Sequence, residues 1–507
     1  MPRSAPPASL TDVAVLGGGP AGATAARLLA LWGHRVTLLT RPTPRGSHAL
    51  AESLPPSCAK LLQHAELLDA VNGAGFVRSL GHTVRWAGTD ARAEPFGEWT
   101  AGWQVPRAAL DALLTKAAKA AGATVRTAAL VRGVESAPRH DSRVLYEEAG
   151  KSRELDARWV LDCTGRSGLM SRRNSGRLKG KQRTVALVAT WERRPDWSLA
   201  DDSHTLVESY DGGWAWSVPL SRTRRQVTVM IDPQRTRVAG GKQLAATYRA
   251  ELARATMLAA LTSRARMVGA PWARDASSYS SSVVARGRTL LVGDAASFVD
   301  PLSSFGVKKA LASAWLASVV VHSVLAAPEI ERQALAWFVA RERAMVAGMR
   351  KTLTLLARDA SLAHPAGFWA DRISDPDATD DAVGDDSSGE PDVAALKADG
   401  AVLRAFEEIR TRESLQLVVA PGVKRVRRAV ARGNLLSVVD HYVTESFPHG
   451  VRYIRNVDLM ALSAIAVSNP QVPEMYGAYI RSSPQVPLPD FLGALAVMVG
   501  KGILDFA

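Results

Sequence analysis

The sequence is poor in several features that mark particular protein classes. It has two cysteines, Cys58 and Cys163, too few for a disulfide framework or a cysteine-rich metal site. No apolar run reaches the roughly 18 residues that a membrane span needs, and the longest candidate, residues 315–327, contains His322. The first twelve residues lack the apolar segment of a secretory signal. We therefore expect a soluble, cytoplasmic protein with reduced thiols, no membrane span and no bound metal.

Composition and charge are those of a folded chain. Hydrophobic residues make up 47% and charged residues 22% of 507 residues, a length that allows about two to four domains. The 63 basic and 49 acidic residues give a net charge of +14, which by itself suits nucleic acid or an anionic membrane. Much of the excess is arginine scattered through alanine-rich segments. We therefore expect the anionic partner to be a cofactor phosphate, with no role for nucleic acid.

The first 45 residues have the pattern of a strand–helix–strand unit. An apolar strand at residues 13–16 leads into the sequence GGGPAG at residues 17–22. A helical stretch follows at residues 23–32, and a second strand covers residues 35–40. A glycine-rich turn in this setting is the typical fingerprint of a dinucleotide site.

The spacing of three glycines in that turn explains the fingerprint. Gly17 allows the tight turn, Gly19 lets the backbone approach a pyrophosphate, and Gly22 lets helix and strand pack closely. Free N–H groups at the start of the helix, including that of Ala21, then face the phosphates. We predict dinucleotide binding here, and the alternative is a glycine turn with a purely structural role.

The end of the second strand departs from this pattern. An acidic residue normally binds the ribose hydroxyls there, whereas this chain has Thr40 and Arg41. The Thr40 hydroxyl can bind a ribose hydroxyl more weakly than a carboxylate would.

Three later segments also have the character of a cofactor site. Two apolar strands run into the sequences DCTGRSG at residues 162–168 and GDAA at residues 293–296. The third segment, DPLSSFG at residues 300–306, precedes a helix at about residues 307–325. A carboxylate at a strand end can bind a sugar hydroxyl, and the start of a helix attracts an anion. Each segment alone is typical of a capped loop, but their order together favours a cofactor site.

The rest of the chain divides into three parts. β-rich runs between residues 180 and 285 predict a mostly antiparallel sheet inside a first domain, residues 1–370. Nine acidic residues within 371–392 indicate a solvated linker, which we place at residues 371–393. Residues 394–507 then form a mostly helical region. Its basic cluster, residues 424–428, is either a solvated helix face or a docking site for an acidic partner.

The motif order resembles that of the FAD-dependent aromatic hydroxylases and, among them, the flavin-dependent halogenases. The resemblance covers residues 12–345 and includes ESLPPS at residues 52–57 and QVPR at residues 104–107. It implies a doubly wound, Rossmann-like α/β domain that binds FAD and is interleaved with a substrate sheet. It also implies that Arg107 lies near the flavin and that Asp294 bonds the ribityl chain. In that family the backbone N–H groups at the end of the loop that matches residues 303–306 hold the halide beside the flavin. The resemblance also implies that Pro301, Ser304, Phe305 and Gly306 contact the cofactor.

Two tryptophans carry the halogenase part of the resemblance. Trp214 and Trp216 alternate within a strand and so point to the same face, and a proline ends that strand. Core packing is one explanation of this pair. The pattern W-x-W-x-[IV]-P also resembles a motif of flavin-dependent halogenases, in which the tryptophans are thought to separate the flavin from the substrate.

Lys60 is the lysine that the resemblance points to. It follows Glu52 by eight residues, the spacing expected for the essential lysine of the family, and prolines before it suit the start of a helix. A solvated lysine is the alternative. The chain departs from the family at Ala51, where the family has glycine, and at Ser303 and Phe305, where the tryptophan halogenases have other residues.

The resemblance implies a reaction. Reduced FAD, delivered by a separate flavin reductase, would react with O2 to a flavin hydroperoxide, and a halide would attack it to give hypohalous acid. Lys60 would direct this acid to an electron-rich aromatic ring, while Trp214 and Trp216 exclude water. The alternatives are a flavin-dependent aromatic hydroxylase, an enzyme for a peptide- or carrier-tethered aromatic group, a polyprenyl reductase, and a binding module without activity.

Overall fold

The computed structural model describes residues 9–42, 50–88, 90–97, 100–136, 142–170, 176–238, 240, 242–303, 305–365, 367–373, 393–483 and 485–507. They form two compact units, one within residues 1–322 and 345–381 and one within residues 323–344 and 382–507. The domain limits that the sequence suggests, at residues 370 and 394, remain a prediction.

The helices described are, in chain order, α1 (Pro20–Leu31), α2 (Cys58–His64), α3 (Leu68–Asn72), α4 (Arg107–Ala120), α5 (Lys242–Arg254), α6 (Thr256–Thr262), α7 (Gly306–Ala326), α8 (Glu331–Ala363), α9 (Phe368–Ile373), α10 (Val393–Ala398), α11 (Gly400–Thr411), α12 (Leu459–Ser468), α13 (Val472–Ser482) and α14 (Leu488–Gly500).

The strands described are β1 (Ser9–Leu16), β2 (Val36–Leu39), β3 (Ala51–Leu54), β4 (Val77–Ser79), β5 (Gly81–Arg85), β6 (Arg92–Pro95), β7 (Gly102–Pro106), β8 (Thr124–Arg126), β9 (Ala129–Ser136), β10 (Ser142–Glu148), β11 (Lys151–Asp162), β12 (Arg177–Lys179), β13 (Val185–Glu192), β14 (Thr205–Tyr210), β15 (Gly213–Pro219), β16 (Arg224–Ile231), β17 (Arg266–Asp275), β18 (Tyr279–Ser281), β19 (Ala285–Arg286), β20 (Thr289–Leu291), β21 (Ser297–Phe298), β22 (Leu417–Val419), β23 (Lys424–Arg432), β24 (Leu435–Val443), β25 (Tyr453–Ile454), β26 (Val457–Asp458) and β27 (Leu504–Phe506).

A mainly parallel sheet forms the first layer of the larger unit. Its order is β19-β20-β11-β1-β2-β8, and β20, β11, β1, β2 and β8 run parallel, while β10 and β9 extend it as antiparallel strands. The glycine turn, the DCTGRSG turn and the GDAA turn follow the carboxyl ends of β1, β11 and β20. Because the carboxyl ends of parallel strands lie at one edge, the sheet brings these three turns together, as doubly wound folds do at a ligand site.

A mostly antiparallel sheet forms the second layer. Its order is β17-β13-β16-β15-β14-β5-β6, with only the β14–β5 pair parallel among the described strands. The predicted strands at residues 183–190, 203–210, 214–218 and 225–231 correspond to β13, β14, β15 and β16. The sheet also takes in β5 and β6, which precede residue 180, because β5 pairs with the edge of β14. The predicted fold class, a doubly wound α/β domain interleaved with a mostly antiparallel sheet and followed by a mostly helical region, is confirmed.

Helix α7 is the most apolar long helix in the described part of the chain. By length and composition it could cross a membrane, but two thirds of its most apolar 18-residue window, 67%, is buried inside the protein. Burial of this kind is what a core helix shows.

The smaller unit has its own apolar core. The α11–α14 helices and the short β22–β27 pair surround buried side chains that include Tyr442, Tyr479 and Phe491. The predicted helical character of this region agrees with helices α10 to α14.

The basic cluster at residues 424–428 lies on a strand, so its interpretation as a helix face is wrong. Strand β23 pairs with β24 in a hairpin whose turn is formed by residues 433 and 434. A glycine followed by asparagine between two apolar runs is a strong signal for such a two-residue turn, and the β-branched residues on both sides favour strands over a helix.

Candidate functional site

The glycine turn forms a close-packed cradle at the start of α1. A Cβ at Gly22 would lie 1.8 Å from the Gly17 carbonyl oxygen, and a Cβ at Gly17 would lie 2.4 Å from the Cys163 carbonyl oxygen. Helix α1 begins at Pro20, and no side chain in the described residues caps its first N–H groups. The free N–H groups and the lack of side chains suit a pyrophosphate, so these residues fit a dinucleotide.

Thr40 and Arg41 take different places at the end of β2. A Cβ at Gly18 would lie 2.8 Å from the Thr40 hydroxyl oxygen, so Thr40 stands directly beside the turn. Arg41 is exposed, and we find no hydrogen bond or ion pair for it in the described residues. The structure therefore brings Thr40, but not Arg41, into contact with the predicted cradle.

Arg107 begins α4 and reaches the same cradle. One of its Nη atoms would lie 3.4 Å from a Cβ on Gly19, its other Nη lies 3.2 Å from a Glu52 carboxylate oxygen, and its Nε lies 2.8 Å from an Asp111 oxygen. Burial raises the pKa of the Glu52 carboxyl above its ordinary value, although Arg107 acts in the opposite direction and Asp294 adds to the increase. Arg107 is thus held between two carboxylates at the edge of the site.

Asp162 organises the turn that follows β11. Its side chain is fully buried, and its carboxylate accepts hydrogen bonds from the Thr164 N–H at 3.0 Å, the Thr164 hydroxyl at 2.6 Å and the Met170 N–H at 2.8 Å. This turn supplies the carbonyl of Cys163 that packs against Gly17. This role of Asp162 was not predicted, although an aspartate two residues before a threonine is a sequence signal for such a turn.

The GDAA segment forms the opposite wall of the cradle. A Cβ at Gly293 would lie 3.1 Å from the Ala21 side chain, so the 3-10 turn Gly293–Ala295 lies against the start of α1. The Tyr279 hydroxyl donates to the Asp294 carbonyl at 2.6 Å, and the Asp294 side chain is half-buried. The residues predicted from four separate segments therefore meet around one space.

The loop before α7 is described only in part. Pro301 begins a 3-10 turn, Pro301–Ser303, and Ser304 lies outside the described residues. Phe305 is half-buried against Val299 and neighbouring side chains of α8. Gly306 begins α7 and is exposed. A halide role for this loop remains a prediction.

The two tryptophans of β15 stack on each other. The ring centroids of Trp214 and Trp216 are 4.6 Å apart, with an angle of 22° between the ring planes. Trp214 is buried and Trp216 half-buried, and both pack in an apolar cluster with Trp86, Phe298 and Phe368. The pair lies on one face of the strand, and its function in catalysis remains a prediction.

Asp300 is a half-buried carboxyl group next to this cluster. It accepts a hydrogen bond from the Leu302 N–H at 3.1 Å. Burial raises its pKa above the ordinary value, while Arg372, the Leu302 N–H and the Trp214 indole oppose the shift. Asp300 was not predicted as a site residue, although the sequence shows an aspartate immediately before the proline of this loop.

Lys60 lies on α2 and is exposed. The helix packs through Cys58 and Leu62 into a cluster with Trp103 and Val307, which is separate from the cluster that contains the tryptophan pair. We find no hydrogen bond or ion pair for Lys60 in the described residues. The structure therefore does not bring Lys60 together with the paired indoles, and its predicted catalytic role stays a prediction.

Comparison with known proteins agrees with this geometry. A family model described as "FAD binding domain" matches residues 10–334. The flavin-dependent halogenase armH3 of Armillaria mellea is 27% identical over 360 residues, which cover 64% of this chain and 70% of that protein. A 1H-pyrrole-2-carbonyl-[peptidyl-carrier protein] chlorinase of Pseudomonas fluorescens is 26% identical over 61% of this chain and 74% of its own length.

The comparison of folds extends over nearly the whole chain. The crystal structure of the flavin-dependent halogenase CmlS superposes with a TM-score of 0.74, at 21% identity, and covers 98% of this chain and 96% of that one. At this identity the match shows the fold alone. Several other halogenase relatives are matched over only 62 to 63% of their own length.

Proposed function

The chain belongs to the FAD-binding domain family and, within it, to the flavin-dependent halogenases, and from this premise we propose that it halogenates an electron-rich aromatic ring. FAD is its cofactor, and it is an enzyme. The substrates we assign are reduced FAD from a separate flavin reductase, O2, a halide and the aromatic compound.

The observation that carries the proposal is the convergence of separate segments on the glycine turn. Four distant parts of the sequence contact residues 17–22: the Thr40 and Arg107 side chains, the Cys163 carbonyl and the turn at Gly293. A purely structural turn would not require all of these contacts. The glycine turn and the free N–H groups at the start of α1 suit the pyrophosphate of FAD.

The protein would hold the cofactor in three ways. The N–H groups at the start of α1 would bind the pyrophosphate, Asp294 would accept a hydrogen bond from the ribityl chain, and Arg107 would lie beside the flavin. Bound reduced FAD supplies the two electrons that activate O2. The remaining task of the chain is to position the cofactor and exclude water.

The tryptophan pair and Asp300 would act on the substrate side. Two stacked indoles form an apolar wall that keeps water away from the oxidising centre. Electrophilic halogenation of an aromatic ring releases a ring proton, and we assign Asp300 as the carboxylate that accepts it. Because burial raises its pKa, Asp300 would ionise, and so accept a proton, only at a higher pH than an exposed aspartate.

The aromatic group is either free or attached to a carrier. The relative that acts on a pyrrole bound to a peptidyl carrier protein supports testing both. Turnover of one aromatic acid, offered free and as a carrier-protein thioester, separates the two; a much higher kcat/KM for the thioester would assign a tethered substrate.

The test of halogenation uses the full chain with FAD, a flavin reductase, NADH, O2 and bromide. A phenol, a pyrrole and an indole serve as substrates, and mass spectrometry detects the isotope pair of bromine in the product. We expect a brominated product that is lost when bromide is omitted. Consumption of reduced FAD without any brominated product from the panel would contradict the proposal.

A second candidate, a flavin-dependent aromatic monooxygenase, is favoured by the exposure of Lys60. An oxygenated product in saturating bromide would decide for it. The variant Lys60→Ala gives a separate test, because a residue on the exposed side of α2 should leave FAD affinity unchanged. Loss of bromination with FAD still bound would assign Lys60 to halide chemistry, and unchanged bromination would remove Lys60 from the site.

A further inference from the structure

Lys309 is a buried lysine in the first turn of α7. Its side chain is 2% exposed, and its Nζ donates hydrogen bonds to the carbonyl oxygens of Gly293 at 2.8 Å and Ser297 at 2.7 Å. The 3-10 turn Gly293–Ala295 and strand β21 cover the face of α7 on which Lys309 lies.

Lys309 helps to fix the turn that carries Asp294. The Gly293 carbonyl binds Lys309, and the Gly293 N–H donates to the Ser313 hydroxyl at 2.8 Å. Both partners belong to α7, so this helix holds the residue before Asp294 from two sides. The position of Asp294 relative to the glycine turn therefore depends on α7.

The charge of Lys309 has no carboxylate partner in the described residues. Its two recorded acceptors are neutral carbonyl groups, whereas a buried charge is normally paired. An ammonium group has three N–H donors, so one donor remains after these two bonds. A buried cation of this kind raises the local electrostatic potential and favours an anion nearby.

We propose that Lys309 makes the site prefer reduced FAD over oxidised FAD. The oxidised flavin ring is neutral, whereas the reduced ring becomes an anion when it loses its N1 proton. Lys309 binds the carbonyl of the residue before Asp294, so its positive charge stabilises the reduced flavin more than the oxidised flavin. This inference rests on the proposed function, in which the enzyme must take up reduced FAD from a separate reductase while oxidised FAD is also present.

The test measures the dissociation constants of oxidised FAD and of dithionite-reduced FAD under anaerobic conditions. The variants are Lys309→Met, which removes the charge, and Lys309→Arg, which keeps it. In a medium of effective dielectric constant about 20, removing this buried charge should lower the preference for reduced FAD on the order of tenfold in Lys309→Met. Lys309→Arg should keep the preference within about threefold.

Lys308→Met is the matched control. Lys308 is the preceding residue of the same helix, but it is half-buried and its Nζ lies 4.9 Å from the centroid of the Phe305 ring. Its charge is better screened by solvent, so its removal should change the preference much less than Lys309→Met does.

Several outcomes would overturn the inference. If Lys309→Met weakens oxidised and reduced FAD equally, Lys309 only positions the turn. If the variant does not fold, the midpoint potential of FAD bound to the wild type is measured instead. Preference for reduced FAD requires this potential to be more positive than that of free FAD, and a more negative value contradicts the inference. Equal affinity of the wild type for both forms would overturn this inference alone, whereas failure to bind either form would overturn the proposed function as well.

Discussion

Gly22→Ala should damage the FAD cradle through a backbone contact. The added Cβ would lie 1.8 Å from the Gly17 carbonyl oxygen and 3.0 Å from the Cys163 side chain, whereas carbon and oxygen normally stay about 3.3 Å apart. The turn and α1 would have to separate by about 1.5 Å, and overpacking of this kind costs about 1–3 kcal/mol. Losing one N–H contact to a charged phosphate costs about another 1.5–3 kcal/mol.

These values predict a measurable loss of FAD binding. The dissociation constant of oxidised FAD, measured by fluorescence titration, should rise at least about tenfold, and the thermal midpoint of the FAD-free protein should fall. Gly348→Ala is the matched control, since Gly348 lies within helix α8 and an added Cβ there meets no atom within 4 Å. It should leave FAD affinity unchanged and stabilise the helix by up to about 1 kcal/mol. Wild-type FAD affinity and stability in Gly22→Ala would refute the close-packed turn.

Three further predictions concern the neighbouring groups. Asp162→Ala should lower the free energy of unfolding by about 2–4 kcal/mol in urea titrations, because it leaves two half-buried N–H groups without their acceptor, and Asp162→Asn should lose less. Trp216→Ala should admit water and raise the hydrogen peroxide released per O2 consumed, whereas Trp216→Phe should not; equal peroxide release in both would count against the wall. The folded state keeps Asp300 protonated to a higher pH than the unfolded state does, so this group reduces stability as pH rises from the ordinary carboxyl pKa through the raised one. Between pH 4 and pH 8 the free energy of unfolding of the wild type should therefore fall relative to that of Asp300→Asn. An identical pH dependence in the two proteins would contradict the raised pKa.

The geometry of the glycine turn and of the tryptophan pair could be predicted because it depends on residues that are close together in the sequence. The glycine turn is specified by residues 17–22 and by the strands on either side, because each glycine is needed where the chain passes within contact distance of itself. The stacking of Trp214 and Trp216 follows from the two-residue period of a strand. The meeting of turns from β1, β11 and β20 follows from a general rule for parallel sheets, so distant segments could be placed together without knowing their exact packing.

The burial of Lys309 depends on which face of a helix is covered. Lys308 and Lys309 are adjacent lysines, so the sequence alone does not show which of the two is covered. The residues that cover Lys309 lie 12 to 16 positions earlier in the chain. For Lys60 the sequence left a catalytic and a solvated lysine open, since a helix of seven residues shows too little periodicity to say which side faces the core. Burial and hydrogen-bond acceptors, rather than sequence spacing from a motif, identify a lysine here as a candidate for function. By that criterion Lys309, with 2% exposure and two carbonyl acceptors, has a stronger structural case than Lys60 for acting on the cofactor, and the comparison of Lys309→Met with Lys60→Ala tests this ranking directly.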